Sequence, residues 1–169
     1  NSTSGKRAKR SCEPVQFGTG AKGGPTTMGL AASAAYKSRK VIHTDDAQNA
    51  FNALSRKSLL QSTKAMWPEF SPICNKYYGI KSPVFYTYFK DGLRILRVIW
   101  STEGTRMGCA YASTGFCLTM HDKVYSKLSD EFSDVAQMAA TDDLVKLWEP
   151  PPSNDSSLWE PFYDRIASY

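Results

Sequence analysis

Apolar residues recur along this chain in two rhythms, and the alternation between them predicts its elements. In "NAFNALSRKSLLQSTKAMW", Phe51, Leu54 and Leu59 fall toward one side of a helix that Pro68 stops. In "CAYASTGFCLTMHDKVYSKL", Phe116, Met120, Val124 and Leu128 stand four residues apart, the stripe of another helix. Between the two, "SPVFYTYFKDGLRILRVIW" is rich in β-branched and aromatic residues and is broken by Asp91-Gly92, the dipeptide of a tight hairpin. "VIHTD" predicts a short strand, and "DVAQMAATDDLVKLW" predicts two more that turn at Asp142-Asp143. An Ala-rich helix over "TTMGLAASAAYKSR" precedes the first strand, and a short helix over "LWEPFYDRIASY" follows the loop "EPPPSNDSS".

This mixed order predicts an α+β fold with an antiparallel sheet flanked by helices. The opening "NSTSGKRAKRSCEP" is basic and poor in large apolar residues, which predicts a flexible arm over residues 1–14 ahead of one domain over 15–169. Its "GKRAKR" suits a nuclear signal or a nucleic-acid contact as readily as a solvated tail. A chain of 169 residues, 41 % of them apolar, can build one sizeable core. With 21 Lys and Arg against 16 Asp and Glu, its net charge of +5 is compatible with nucleic acid or with acidic surfaces. Cys12, Cys74, Cys109 and Cys117 form no C-x-x-C pair and have neither His43 nor His121 beside them. That pattern disfavours zinc and predicts free thiols in a reducing, intracellular compartment, with mitochondrion and nucleus both open. No apolar run approaches the roughly 20 residues of a membrane span. The start at Asn1 rather than Met points to a processed product or part of a longer chain.

Candidate chemistry enters with two acidic pairs, Asp45-Asp46 after the first strand and Asp142-Asp143 in the last hairpin. Either alone is ordinary turn and helix-cap chemistry, because Asp side chains accept bonds from nearby backbone amides. If the first strand lies beside that hairpin, however, Asp46, Asp142 and Asp143 share one edge of a sheet. Carboxylates clustered there repel one another unless a divalent cation neutralises them. Mg²⁺ suits carboxylates together with phosphate oxygens, and paired ions about 4 Å apart stabilise both the attacking and leaving oxygens of a phosphoryl transfer.

The motifs "PVQFGTGAKGG", "DDAQNAFN", "YYGIKSPVFYTYFKDGLRILRVIWSTEGTRMGCAY" and "AATDDLVKL", in that order, resemble the reverse transcriptases, most nearly those of non-LTR retrotransposons. The resemblance covers nearly the whole chain and implies fingers and palm without a thumb. It also implies Asp46 and Asp142 as the main ligands for Mg²⁺ or Mn²⁺, Asp143 beside them, Phe51 as the steric gate against a ribose 2′-hydroxyl, and Gly108 at the nucleotide. Two stretches depart from the family. Met107, Gly108, Cys109 and Ala110 replace Gln-Gly-Asp-Pro, and a thioether cannot make the hydrogen bonds of an amide. Ala140 stands where the family has Tyr or Phe. In the family's terms the chain also begins after the first fingers segment and ends before the Lys-bearing segment. These departures point to a retroelement-derived domain whose catalysis is lost, recruited as a structural subunit of a larger assembly with protein partners and RNA, such as a mitochondrial ribosome. The intact "DAQNAFN" and "TDD" point to the alternative, the core of an active RNA-directed DNA polymerase. Tyr77, Tyr78, Tyr86 and Tyr88 could stack on bases, but such aromatics read first as core or cross-strand packing; Cys109 at a helix start could be reactive, but reads first as a small buried hydrophobe; and a protein contact is expected through "SSLWEPFYDRIASY".

Overall fold

The computed structural model describes residues 6, 10–19, 21–106 and 108–150. Helix α1 (Gly24–Lys37) leads into strand β1 (Val41–Asp46), followed by a single turn α2 (Ala50–Ala53), α3 (Arg56–Met66) and α4 (Ser71–Tyr78). A long hairpin, β2 (Ser82–Lys90) and β3 (Leu93–Ser101), precedes α5 (Ala112–Met120), which continues through a π-helical turn over His121–Tyr125 into α6 (Ser126–Glu131). Strands β4 (Ala136–Ala140) and β5 (Asp143–Trp148) end the described chain. The final segment, with its expected helix and aromatic contact, lies outside the described residues, as does Met107.

Two antiparallel sheets result: one of three strands in the order β1-β5-β4, and the separate two-stranded β2-β3 hairpin. Directly opposed residues of an antiparallel pair share a face. His43 and Asp45 of β1 therefore share a face with Lys146 and Leu144 of β5 and with Gln137 and Ala139 of β4. On that face Leu144 and Ala139 pack with Val15 and Tyr125, and Met120 and Val124 of the long helix close over them. Met120 also touches the larger cluster of Cys12, Leu54, Leu59, Trp67, Phe70, Cys74, Tyr78, Phe116 and Leu118, so the two cores are continuous through α5.

Several boundaries differ from those predicted. The helix expected from Asn49 to Trp67 is broken at Leu54-Ser55, because the Ser55 hydroxyl accepts a bond from the Ser58 amide and starts α3 afresh. Helix α4 was not anticipated; its signal is Pro72 in the first turn, a position where the missing amide hydrogen costs nothing. The last hairpin turns at Thr141-Asp142, one residue early, and Asp143 already belongs to β5. The arm expected over residues 1–14 does not run its full length, since Cys12 is completely buried in the core. The Asp91-Gly92 turn is as predicted, with both residues at positive φ, as a two-residue turn between right-twisted strands requires.

Candidate functional site

Strand register brings the acidic residues together. Asp46, the last residue of β1, lies directly opposite Asp143, the first of β5, and Asp143 is in turn opposite Ala140 of β4. Asp142 occupies the two-residue turn between Ala140 and Asp143. Opposed Cα atoms in such a ladder are about 4.5–5.5 Å apart, so the Asp46 and Asp143 carboxylates emerge side by side from one face. Like charges in that relation destabilise the pairing, and both residues remain exposed to water, which screens them. Their face borders a cleft of about 390 Å³ lined by Pro25 and Met28 of α1, Thr44, Asp46, Ala140 and Asp143.

The turn itself is tightly held. Thr141 has φ 65°, a left-handed conformation that β-branched residues rarely adopt and that hairpins of this length usually give to glycine. One buried side chain meets both polar groups of this residue: Gln16 Oε1 accepts from the Thr141 amide at 2.9 Å, and Gln16 Nε2 donates to the Thr141 carbonyl at 3.3 Å. The Gly18 amide donates to the same Oε1 at 2.7 Å. Around them the Val15–Phe17 backbone runs as a short parallel bridge to β4, with Phe17 N donating to Ala139 O at 2.6 Å and Ala139 N to Val15 O at 2.8 Å. Beneath the turn the Tyr125 hydroxyl reaches the Thr141 carbonyl at 3.5 Å. Burial raises the Tyr125 phenol pKa, and the charges of Cys117, Asp142, Asp45 and Asp143 add to it. Burial likewise pushes the neighbouring Cys117 thiol up to about 12, so this sulfur is an inert core atom.

The other aspartate of the first pair is used differently. Asp45 faces the long helix, forms an ion pair with the wholly buried Lys146 and contacts His43 Nε2 at 2.8 Å. Burial lowers the Lys146 pKa, opposed by the bond and charge of Asp45. A lysine inside an apolar-looking strand carries no sequence signal of its own. Phe51 is half-buried on α2 and stacked on Phe116, with ring centroids 4.8 Å apart. Its carbonyl accepts from the Thr105 amide at 2.7 Å, while Gly104 N donates to Leu54 O at 2.8 Å. The loop that carries Gly108 is thus tied to the segment that carries Phe51. Gly108 is exposed with φ 81°, and nothing lies within 4 Å of where a Cβ would stand. Cys109 is partly buried beside the core, and all four cysteines are free thiols.

Hard carboxylate oxygens, exposed at a sheet end, are the donor chemistry that Mg²⁺ and Mn²⁺ prefer. Among the described residues no group of three His, Cys, Asp or Glu side chains is arranged to hold a metal ion by itself. Among the described residues no helix is long and apolar enough to cross a membrane.

No protein-family model matches the chain, and no curated protein sequence does. In fold it is similar to the telomerase of Candida albicans, solved in complex with the TWJ fragment of telomeric RNA, with a TM-score of 0.50 at 10 % identity. The match covers 97 % of this chain and 31 % of the telomerase chain, so the chain spans about a third of that protein's length. Telomerase is a reverse-transcriptase-related enzyme, and the α+β architecture here is reverse-transcriptase-like, with antiparallel sheets flanked by helices.

Proposed function

We propose that this chain is the fingers and palm of a nucleic-acid polymerase of reverse-transcriptase type, with its reaction centre at the Asp46, Asp142 and Asp143 edge. The observation that carries the reading is the register: Asp46 opposite Asp143, with Asp142 on the turn between them. These three would hold Mg²⁺ or Mn²⁺, which when bound supplies positive charge to phosphoryl oxygens and favours ionisation of an attacking hydroxyl. The chain's own part is to present the carboxylates at a fixed spacing on a strand end, next to a cleft. Phe51, held by its stack on Phe116, closes one side of the nucleotide position and selects against a 2′-hydroxyl, the role its motif implies. Gly108, without a side chain, lets a base or sugar approach the backbone. RNA is the nucleic acid this reading favours as a partner, because the similar telomerase structure contains an RNA fragment and the chain carries a net charge of +5. The non-LTR retrotransposon type is the finer form of the same reading, supported by "DAQNAFN".

A second reading has its own observation. Both faces of the β2-β3 hairpin are apolar and exposed, as on a subunit whose catalysis has lapsed and whose surface is covered by protein partners in a larger assembly such as a ribonucleoprotein. Two measurements separate the readings. Titration with Mn²⁺ should give saturable binding that Asp46→Ala and Asp142→Ala each weaken about tenfold, as loss of a charged ligand would. A primed RNA template with deoxynucleotides and Mn²⁺ should be extended by the wild type and left unextended by Asp142→Ala. Binding without extension favours the recruited subunit, and absence of both sinks the polymerase reading.

A further inference from the structure

The residue before Asp142 adopts a conformation that its own chemistry resists, so something outside the hairpin must hold it there. Thr141 cannot use its peptide groups in the ladder, because it sits at the tip between Ala140 and Asp143. The side chain that meets them comes from a segment 125 residues earlier and is 4 % exposed. A carboxamide fits this task because donor and acceptor lie in one plane and mirror a peptide; Glu would lose the donor and Met both groups. Approach is close by construction. A Cβ on Gly18 would collide with the Thr141 amide nitrogen and crowd Gln16 Oε1, so the loop runs against the turn only because residue 18 is glycine.

We infer that Gln16 is a positioning residue for the carboxylate edge: its amide holds Thr141 left-handed, and that conformation sets where Asp142 stands in the turn beside Asp143. The inference rests on the proposed metal-binding role of that edge and assigns the control of its geometry to the glycine-containing loop. The loop is thereby linked to the turn through this side chain, beside the backbone bridge that joins Val15 and Phe17 to Ala139. Because both Oε1 bonds end in the loop and the turn, neither can move without releasing the other.

The test uses the full chain and its Gln16→Ala, Gln16→Glu and Gln16→Ala/Thr141→Gly variants. Hydrogen exchange of the Thr141 amide, read by NMR, should accelerate about tenfold in Gln16→Ala, the loss of one hydrogen bond, while amides of the β1/β5 ladder keep their protection. Broadening of Asp142 and Asp143 resonances by Mn²⁺ should then need about tenfold more ion. Adding Thr141→Gly should restore most of that affinity, because glycine takes a left-handed conformation without help. Unchanged Thr141 exchange in Gln16→Ala overturns the inference, and so does a loss of protection spread evenly over the ladder or a failure of Thr141→Gly to rescue. If wild type binds no Mn²⁺ at all, the metal reading falls, and the Thr141 exchange comparison still decides whether Gln16 holds the turn.

Discussion

Several buried and half-buried bonds converge on Arg56. It is 5 % exposed, and its guanidinium donates to Gly104 O at 2.9 Å, Ser101 O at 2.8 Å and Ser101 Oγ at 2.7 Å while lying over the Tyr78 ring. Arg56→Ala would leave the buried Gly104 carbonyl and the half-buried Ser101 groups without this donor, and each such loss to a charged group costs about 1.5–3 kcal/mol. The expected result is a fall of at least ~3 kcal/mol in chemical denaturation, and Arg56→Lys should recover little because an ammonium cannot fork to several acceptors. His121 gives a pH prediction. Its Nδ1 is buried without a hydrogen-bond partner, and burial lowers its pKa below the ordinary 6.5, opposed by Asp122. Below that ordinary value the unfolded chain binds a proton that the folded chain resists, so stability falls as pH drops through the window. Thermal melts between about pH 7.5 and about 5.5 should show that decline, and His121→Gln should flatten it. The aspartates were legible in the sequence because paired acids beside short apolar runs are conspicuous. Gln16 and Lys146 were not, since their roles depend on partners 125 positions away and on a cross-strand pair.

At the scale of elements, local chemistry foretold type and order better than boundaries. Asp91-Gly92 announces its turn because both residues tolerate positive φ. Thr141-Asp142 does not, because Thr141 is held there by Gln16 rather than by propensity, and so the turn was read one residue late. The π-helical turn at His121–Tyr125 is similarly silent in the four-residue spacing of Phe116, Met120, Val124 and Leu128. It inserts an offset that leaves Met120 and Val124 half-buried while Tyr125 is buried under the carboxylate turn. The α2–α3 break makes a specific prediction. Ser55 is the cap that lets α3 start where Arg56 can reach the hairpin base, and Ser55→Ala should cost about 1 kcal/mol. Ser55→Asp, which caps as well, should cost little in the same denaturation experiment; an equal loss in both would mean that the break is set elsewhere.

On the scale of the whole molecule, two sheets stand in opposite situations. The three-stranded sheet is covered on one face by the long helix and bordered on the other by α1. The hairpin carries Phe85, Phe89, Leu96, Val98 and Trp100 on one face and Val84, Tyr86, Leu93 and Ile99 on the other, all exposed. Strands that read as apolar on both faces belong to sheets that are covered on both faces, and a lone two-stranded ribbon is marginal in water. Its attachment runs through Arg56 at Ser101 and through Arg106, which bonds Ser82, both at the base rather than along its length. The distal apolar residues therefore contribute little to the stability of the rest and much to what the surface does. Replacing Phe85 and Leu96 by Thr and Phe89 by Lys should leave the thermal midpoint of the rest of the fold within the small range of ordinary surface changes. As concentration rises, the wild type should sediment as a larger species than this variant, because the variant breaks the contiguous patch. A midpoint that collapses with these three changes would mean that the hairpin is an integral part of the core, and the recruited-subunit reading would lose the surface on which it stands.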